Sequence, residues 1–229
     1  MLYDPLDTDR GDLDVYAAMA AEFGARDVLD IGCGTGVLAC LLAGRGHSVT
    51  GLDPALASLD IARGKPFADR VRWIHGTVAA LPDELRFDLV TMTGNVAQVF
   101  LSDAGWAEVT SAAHRALRPG GRLVFETRDP ARQAWREWDR AHTHVKTGIP
   151  GVGGFEGWTE VTDVSGEFVT FRATYVFASD GAVLTADSTL RFRPRAAVAH
   201  SLTVTGFTVD EVRDAPDRPG KEFVFIASR

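Results

Sequence analysis

Cysteine is scarce: 229 residues contain only Cys33 and Cys40, seven positions apart. Two thiols cannot build a disulfide framework, and their spacing matches no zinc motif. A reducing, cytoplasmic setting is therefore expected, with no metal centre. Positive charge is also in deficit, with 24 Lys and Arg against 31 Asp and Glu for a net charge of −7. A nucleic-acid binder normally carries a basic field, so that partner class is argued against. No apolar run approaches the roughly 18 residues that span a bilayer, so no membrane partner is expected. Residues Met1–Asp14 are acidic and lack the apolar centre of a secretory signal. Internal repeats and low-complexity stretches are absent too.

What remains is ordinary globular composition, 45% hydrophobic and 24% charged, with one mild excess of 23 glycines. The first half alternates strand and helix signals. Strands are expected at 26–31, 48–52, 71–75, 87–92 and 122–127, with helices at 37–43, 54–63 and 102–117 between them. Asp53 reads as a cap, and Pro54 as the first residue of the second helix. Such alternation predicts a parallel sheet covered by helices on both faces. The second half has another texture. A helix is expected from Asp129-Pro130 to Ala141, placing Trp135, Trp138 and His142 on one face. A glycine-rich loop follows at 148–157. Three runs at 158–164, 168–178 and 183–192 then alternate with period two, the last two joined by a turn containing Asp180-Gly181. They predict a three-stranded antiparallel meander with one apolar face. A helix at 194–204 and a strand pair at 207–212 and 222–227 close the chain.

Chemistry concentrates in Val28-Leu29-Asp30-Ile31-Gly32-Cys33-Gly34-Thr35-Gly36. A strand runs into three alternate glycines and then an apolar helix. Glycine lets a ligand lie on backbone with no Cβ in the way. Asp53 ends the second strand, 17 residues beyond Gly36. A carboxylate there can accept hydrogen bonds from both hydroxyls of a ribose. Together these features point to a nucleoside-bearing ligand.

The same stretch resembles the first motif of the class I S-adenosylmethionine-dependent methyltransferases. The resemblance continues through Gly51-Leu52-Asp53-Pro54, Gly76-Thr77-Val78, Phe87-Asp88-Leu89-Val90, Leu117-Arg118-Pro119-Gly120-Gly121 and Gly206-Phe207-Thr208-Val209. It covers about residues 13–127 and 193–228. It implies an α/β fold: a Rossmann-like mixed seven-stranded sheet with helices on both faces and a C-terminal antiparallel hairpin, here with an inserted β-meander. It implies one domain over 1–229, with an N-terminal helical segment at 1–25 and a substrate-facing insertion at 128–192. The implied activity is methyl transfer to oxygen or nitrogen of a small-molecule acceptor, with S-adenosylhomocysteine as product. By resemblance, Gly32, Gly34 and Gly36 pass beneath the cofactor, and Asp30 faces its methionine end. Asp53 takes the ribose, Thr77 and Val78 border the adenine, and Thr93, Gly94 and Asn95 lie near the sulfonium. Cys33 and Pro54, inside these motifs, are counted with the cofactor contacts. Many relatives carry an acid where this chain has Thr77, which leaves adenine recognition to the Val78 backbone.

Four points stay open at this level. Tyr16 either closes over the cofactor or simply packs. Tyr175 and His142 are the candidate bases, against plainer readings as a core phenol and a locally bonded surface side chain. The competing functions are an NAD(P)-dependent oxidoreductase, whose fingerprint wants G-x-G-x-x-G, and a non-catalytic S-adenosylmethionine-binding or assembly protein. The meander either roofs the pocket or meets a second subunit.

Overall fold

A computed structural model describes residues 11–149 and 153–229. Its first element is helix α1 (Gly11–Glu22), followed by β1 (Asp27–Ile31), α2 (Val37–Gly44), β2 (Ser48–Asp53), α3 (Leu56–Ala62), β3 (Val71–His75), β4 (Phe87–Met92), α4 (Asp103–Ala116) and β5 (Leu117–Arg128). After an insertion come α6 (Arg195–Val204), β10 (Thr208–Asp214) and β11 (Glu222–Ser228). The main sheet has seven strands in the order β10-β11-β5-β4-β1-β2-β3. Strands β1 to β5 are parallel, and β11 runs antiparallel to both β5 and β10. This is the expected Rossmann-like mixed sheet with its terminal hairpin.

Alternation along the central strands explains the layering. In β5, Leu123 and Phe125 face the core beneath α4 and α6, while Val124 faces the core beneath α1 and α2. Partner strand β11 does the same, with Phe225 on one side and Val224 and Ile226 on the other. Stacked Phe125 and Phe225 rings, 5.3 Å apart, sit in the first of these cores. A strand buried on both faces has its register fixed twice over, because a slip of one residue exchanges both cores. Chain order reverses between β1 and β4, and open α/β sheets bind ligands in the crevice at that point.

The insertion contains a short helix α5 (Arg140–Thr143) and strands β6 (Val145–Ile149), β7 (Gly153–Ser165), β8 (Phe168–Phe177) and β9 (Val183–Arg191). These strands form a separate antiparallel sheet in chain order. Two expectations need correcting here. The run expected as a glycine-rich loop is mostly paired strand. Lys146 lies opposite Glu156 and bonds to it at 2.9 Å, while buried Phe155 lies opposite Thr147. An extra strand therefore makes the meander a four-stranded sheet; the part of the run at 150–152 lies outside the described residues. The helix expected over 129–141 is also absent as a unit. Left-handed Gln133 (φ 49°, ψ 46°) divides two 3₁₀ turns, and Asp139 then caps α5 by accepting from the His142 N–H. Tertiary anchors override the helical period: Trp135 packs edge-on to Phe192, and Trp138 packs against Phe171 and Phe192. His142 is exposed and shares no helix face with them.

Candidate active site

The crevice opens at the carboxyl ends of β1, β2 and β4. The glycine loop is tied to β2 by Gly32 and Cys33, whose N–H groups both donate to the Leu52 carbonyl, at 2.8 and 3.1 Å. Within the loop the glycines do different jobs. A Cβ on Gly36 would fall 2.4 Å from the Trp73 ring, so this glycine permits α2 to pack on the sheet. Open space surrounds the Cβ position of Gly34, which lines the crevice instead. At Gly32 a Cβ would meet the Val96 methyls at 2.6 and 2.8 Å.

Val96 and Gly32 border both of two cavities. One, of about 280 Å³, is lined by Asp30, Cys33, Gly34, Thr93 and Gly94. The other, of about 410 Å³, is lined by Leu52, Asp53, Pro54, Thr77, Val78 and Phe100, among others. A compartment with a buried acid thus adjoins a more strongly apolar one.

Asp30 is buried and accepts from the Thr91 hydroxyl at 2.9 Å. Desolvation outweighs that bond and pushes its carboxyl up to about 7. Such a group is poised to ionise against an incoming cation. Asp53 does not cap a helix through Pro54, which corrects the sequence expectation; α3 begins at Leu56, behind Ala55. Its two oxygens accept instead from the N–H groups of Gly34 and Ala55, each at 2.8 Å. Each carboxylate oxygen has a second lone pair, so the pinned side chain still presents acceptors to a diol. Cys33 is buried beside Gly51, and burial pushes its thiol well above the ordinary range, so it is packing rather than a nucleophile.

The other candidates separate. Thr93 and Gly94 line the cavity that holds Asp30, whereas Asn95 lies behind it, 3% exposed and left-handed (φ 60°). The buried Tyr16 hydroxyl donates to Glu126. Tyr175 is half-buried in β8, opposite Gly157 and Leu184, and His142 bonds to Asp139 at 2.8 Å; neither borders these cavities. Among the described residues no cluster of three or more His, Cys, Asp or Glu could hold a metal ion. No described helix is long and apolar enough to cross a membrane.

Sequence reasoning missed Glu126 and Glu222, both buried at the ligand edge of the sheet. A signal was present: each is an acid adjoining an otherwise apolar strand run, Leu123-Val124-Phe125 and Phe223-Val224-Phe225. Burying such an acid is costly unless something pairs with it.

Comparison with known proteins agrees with this geometry. Residues 28–121 match the family model described as a methyltransferase domain. That match covers less than half of the chain and points to the class of methyltransferase domains. Within that class, the chain is 34% identical over 119 residues to the ubiquinone biosynthesis O-methyltransferase of Alkalilimnicola ehrlichii, covering 50% of this chain and 47% of that one. It is also 34% identical over 106 residues to the cypemycin N-terminal methyltransferase of a Streptomyces species, covering 46% and 43%. The chain thus spans about half the length of the curated relatives it matches. In fold it resembles the CcbJ methyltransferase from Streptomyces caelestis, with a TM-score of 0.75 at 22% identity over 95% of this chain and 89% of that one. It likewise resembles an amino pentose methyltransferase from Micromonospora echinaspora, solved with S-adenosylmethionine bound, with a TM-score of 0.74 at 20% identity over 100% and 97%.

Proposed function

We propose that this protein transfers a methyl group from S-adenosylmethionine to an oxygen or nitrogen of a small-molecule acceptor. The two-part crevice carries the reading: a buried acid in one compartment, a more apolar slot beside it, and a pinned carboxylate at their border. The residues present suit that cofactor. Asp30 would face the cationic methionine end, and Gly34 leaves room for it. Asp53 would accept from the ribose hydroxyls. Pro54, Thr77 and Val78 would border the adenine with Leu52 and Phe100, while Cys33 backs the loop, Thr93 lines the side toward the sulfur and Asn95 stands behind it. When bound, the cofactor supplies an electrophilic methyl on sulfonium, whose departure as a thioether needs no acid. The chain's own contribution is to orient the acceptor in line and to exclude water. No catalytic step is assigned to Tyr175 or His142.

The insertion supports a small acceptor held from above. It docks beside the apolar slot: Arg193 donates to the carbonyls of Phe100 and Ser102 at 2.7 and 3.2 Å, and Arg191 pairs with Asp103 at 2.7 Å. Its edge strand β9 leaves Val183 and Leu184 more than half exposed, which supports pairing of two copies through this sheet. Calorimetry with S-adenosylhomocysteine and with NAD tests the cofactor, and transfer of labelled methyl to small phenols, amines and amino sugars tests the reaction. Binding of the thioether followed by transfer is expected. NAD binding alone would replace the reading with an oxidoreductase, and thioether binding without transfer to any acceptor would replace it with a non-catalytic binder.

A further inference from the structure

Glu126 lies near the carboxyl end of β5, on the sheet face covered by α1, and it is 5% exposed. Its two oxygens reach two separate parts of the chain. One accepts from the Asn95 N–H at 2.8 Å; the other accepts from the hydroxyl of Tyr16 on α1. The Gly94 N–H is also directed at this carboxylate.

Gly94 and Asn95 are consecutive left-handed residues, at φ 71° and 60°. For a non-glycine residue that conformation persists only where the surroundings over-determine it. Here they do. Glu126 holds the Asn95 backbone, and Glu222 accepts from its side-chain amide at 3.3 Å on both oxygens. Glu222 is in turn held by Arg218 at 2.7 Å. The Asn95 Oδ1, buried, has no hydrogen-bond partner, so the residue's place is set by the acids rather than by satisfaction of its own oxygen.

The next residue is Val96, the side chain seated on Gly32 at the border of both cavities. A continuous chain of contacts therefore runs from α1 through Tyr16, Glu126 and Asn95 to the wall of the crevice. Apolar packing alone would fasten α1 to the sheet, since Leu13, Ala17 and Ala20 are already fully buried there. A carboxylate kept in that interface carries a desolvation cost that packing does not explain. Its geometry explains it, because a planar two-pronged group can engage α1 with one prong and the loop with the other.

We propose that Glu126 is a positioning residue that couples the docking of α1 to the shape of loop 93–96, so that the cofactor crevice takes its binding form only when the N-terminal helix is seated. The proposal rests on the methyltransferase reading for its ligand, but the coupling itself involves protein groups alone.

The test compares Y16F, E126Q and E126A with the parent chain by amide hydrogen exchange without ligand and by calorimetry with S-adenosylhomocysteine. Melting temperatures taken in parallel confirm that each variant is folded. Y16F removes one hydroxyl and keeps the ring, so it covers the case in which E126A does not fold. In Y16F, amides of both 11–22 and 93–100 are expected to exchange faster, and the thioether to bind about tenfold more weakly. E126Q keeps an oxygen for the Asn95 N–H and an amide that can donate to the Tyr16 oxygen; it is expected to stay within about threefold of the parent. E126A is expected to lose more than tenfold. A merely structural role would lower the melting temperatures while leaving the affinity of the folded variants unchanged, and that result would overturn the proposal. Faster exchange confined to 11–22 in Y16F would also overturn it, whatever the ligand does. Failure of the parent to bind the thioether would instead refute the cofactor reading, and the exchange data would still decide the coupling.

Discussion

The main sheet and the insertion are built from the same kinds of residue under different constraints. Strand β1 is buried along nearly its whole length, and its residues alternate between two cores. Strand β9 is exposed over six of its nine residues and pairs on one edge only. A doubly covered strand has a single register that hides its side chains, whereas a sheet covered on part of one face is held by a few anchors. Here those anchors are Trp135 and Trp138 on Phe192, with Arg191 and Arg193 gripping the 100–103 segment. Binding chemistry follows the same division. Under the proposed function, the backbone around β1 and β2 positions Asp30 and Asp53, and the acceptor falls to the more loosely specified part.

Substitutions break that comparison with graded force. Gly36→Ala should do most damage, since it adds a Cβ 2.4 Å from Trp73 at φ 75°. Overpacking and left-handed strain together cost about 3 kcal/mol, read as a fall in melting temperature. Gly34→Ala meets open space and should cost about 1 kcal/mol of stability, its larger effect falling on cofactor affinity. Asp30→Asn should weaken S-adenosylhomocysteine binding about a hundredfold, in the range lost when a buried charge pair is truncated, with calorimetry as the readout.

The pH dependence sharpens the contrast, because the raised acids are confined to the sheet half. Burial lifts both Asp30 and Glu126 to about 7, from ordinary values of 3.8 and 4.5. The folded chain therefore holds protons that the unfolded chain releases between about pH 4 and 7. Stability from this source is fully present below the lower values and is lost as pH rises through 7. Melting should occur several degrees higher at pH 5.5 than at pH 8, and the slope should flatten in Asp30→Asn. A melting temperature that rises over this range in the parent would contradict the assignment. The cationic methionine end favours ionised Asp30, so binding should tighten from pH 6 to 8 and release a proton.

In the insertion, Trp138→Ala removes a half-buried anchor that contacts Phe171 and Phe192. It should cost about 1–2 kcal/mol and lower acceptor turnover while leaving cofactor affinity alone. Unchanged turnover in both Trp138→Ala and Tyr175→Ala would remove the roof. Tyr175→Phe is the smallest change and should alter turnover less than twofold.

Legibility in the sequence followed the same boundary. Strands β1, β2, β4 and β5 and the glycine loop were readable, because two-sided burial and close backbone packing both impose residue types at fixed spacing. Asp30 and Asp53 stood out as acids at strand ends. Glu126 did not, because its role depends on Tyr16, 110 positions away, and on Asn95. The expected helix at 129–141 failed for a related reason. Its tryptophans keep a helical spacing in the sequence, yet their partners are aromatic rings far along the chain. Strand β6 was hidden by glycines that signal a loop locally but permit close pairing once Phe155 is anchored.

Arg193 gives the insertion a fixed seam. It is 5% exposed, lies over the Trp106 ring and ties the end of β9 to carbonyls ahead of α4. At the other margin, the Asp129 N–H donates to the Lys221 carbonyl at 2.9 Å. Both margins are therefore clamped by the sheet half itself. Under the proposed function, the stretch between them is a cassette, whose sequence can diverge to suit a new acceptor while the cofactor half stays unaltered.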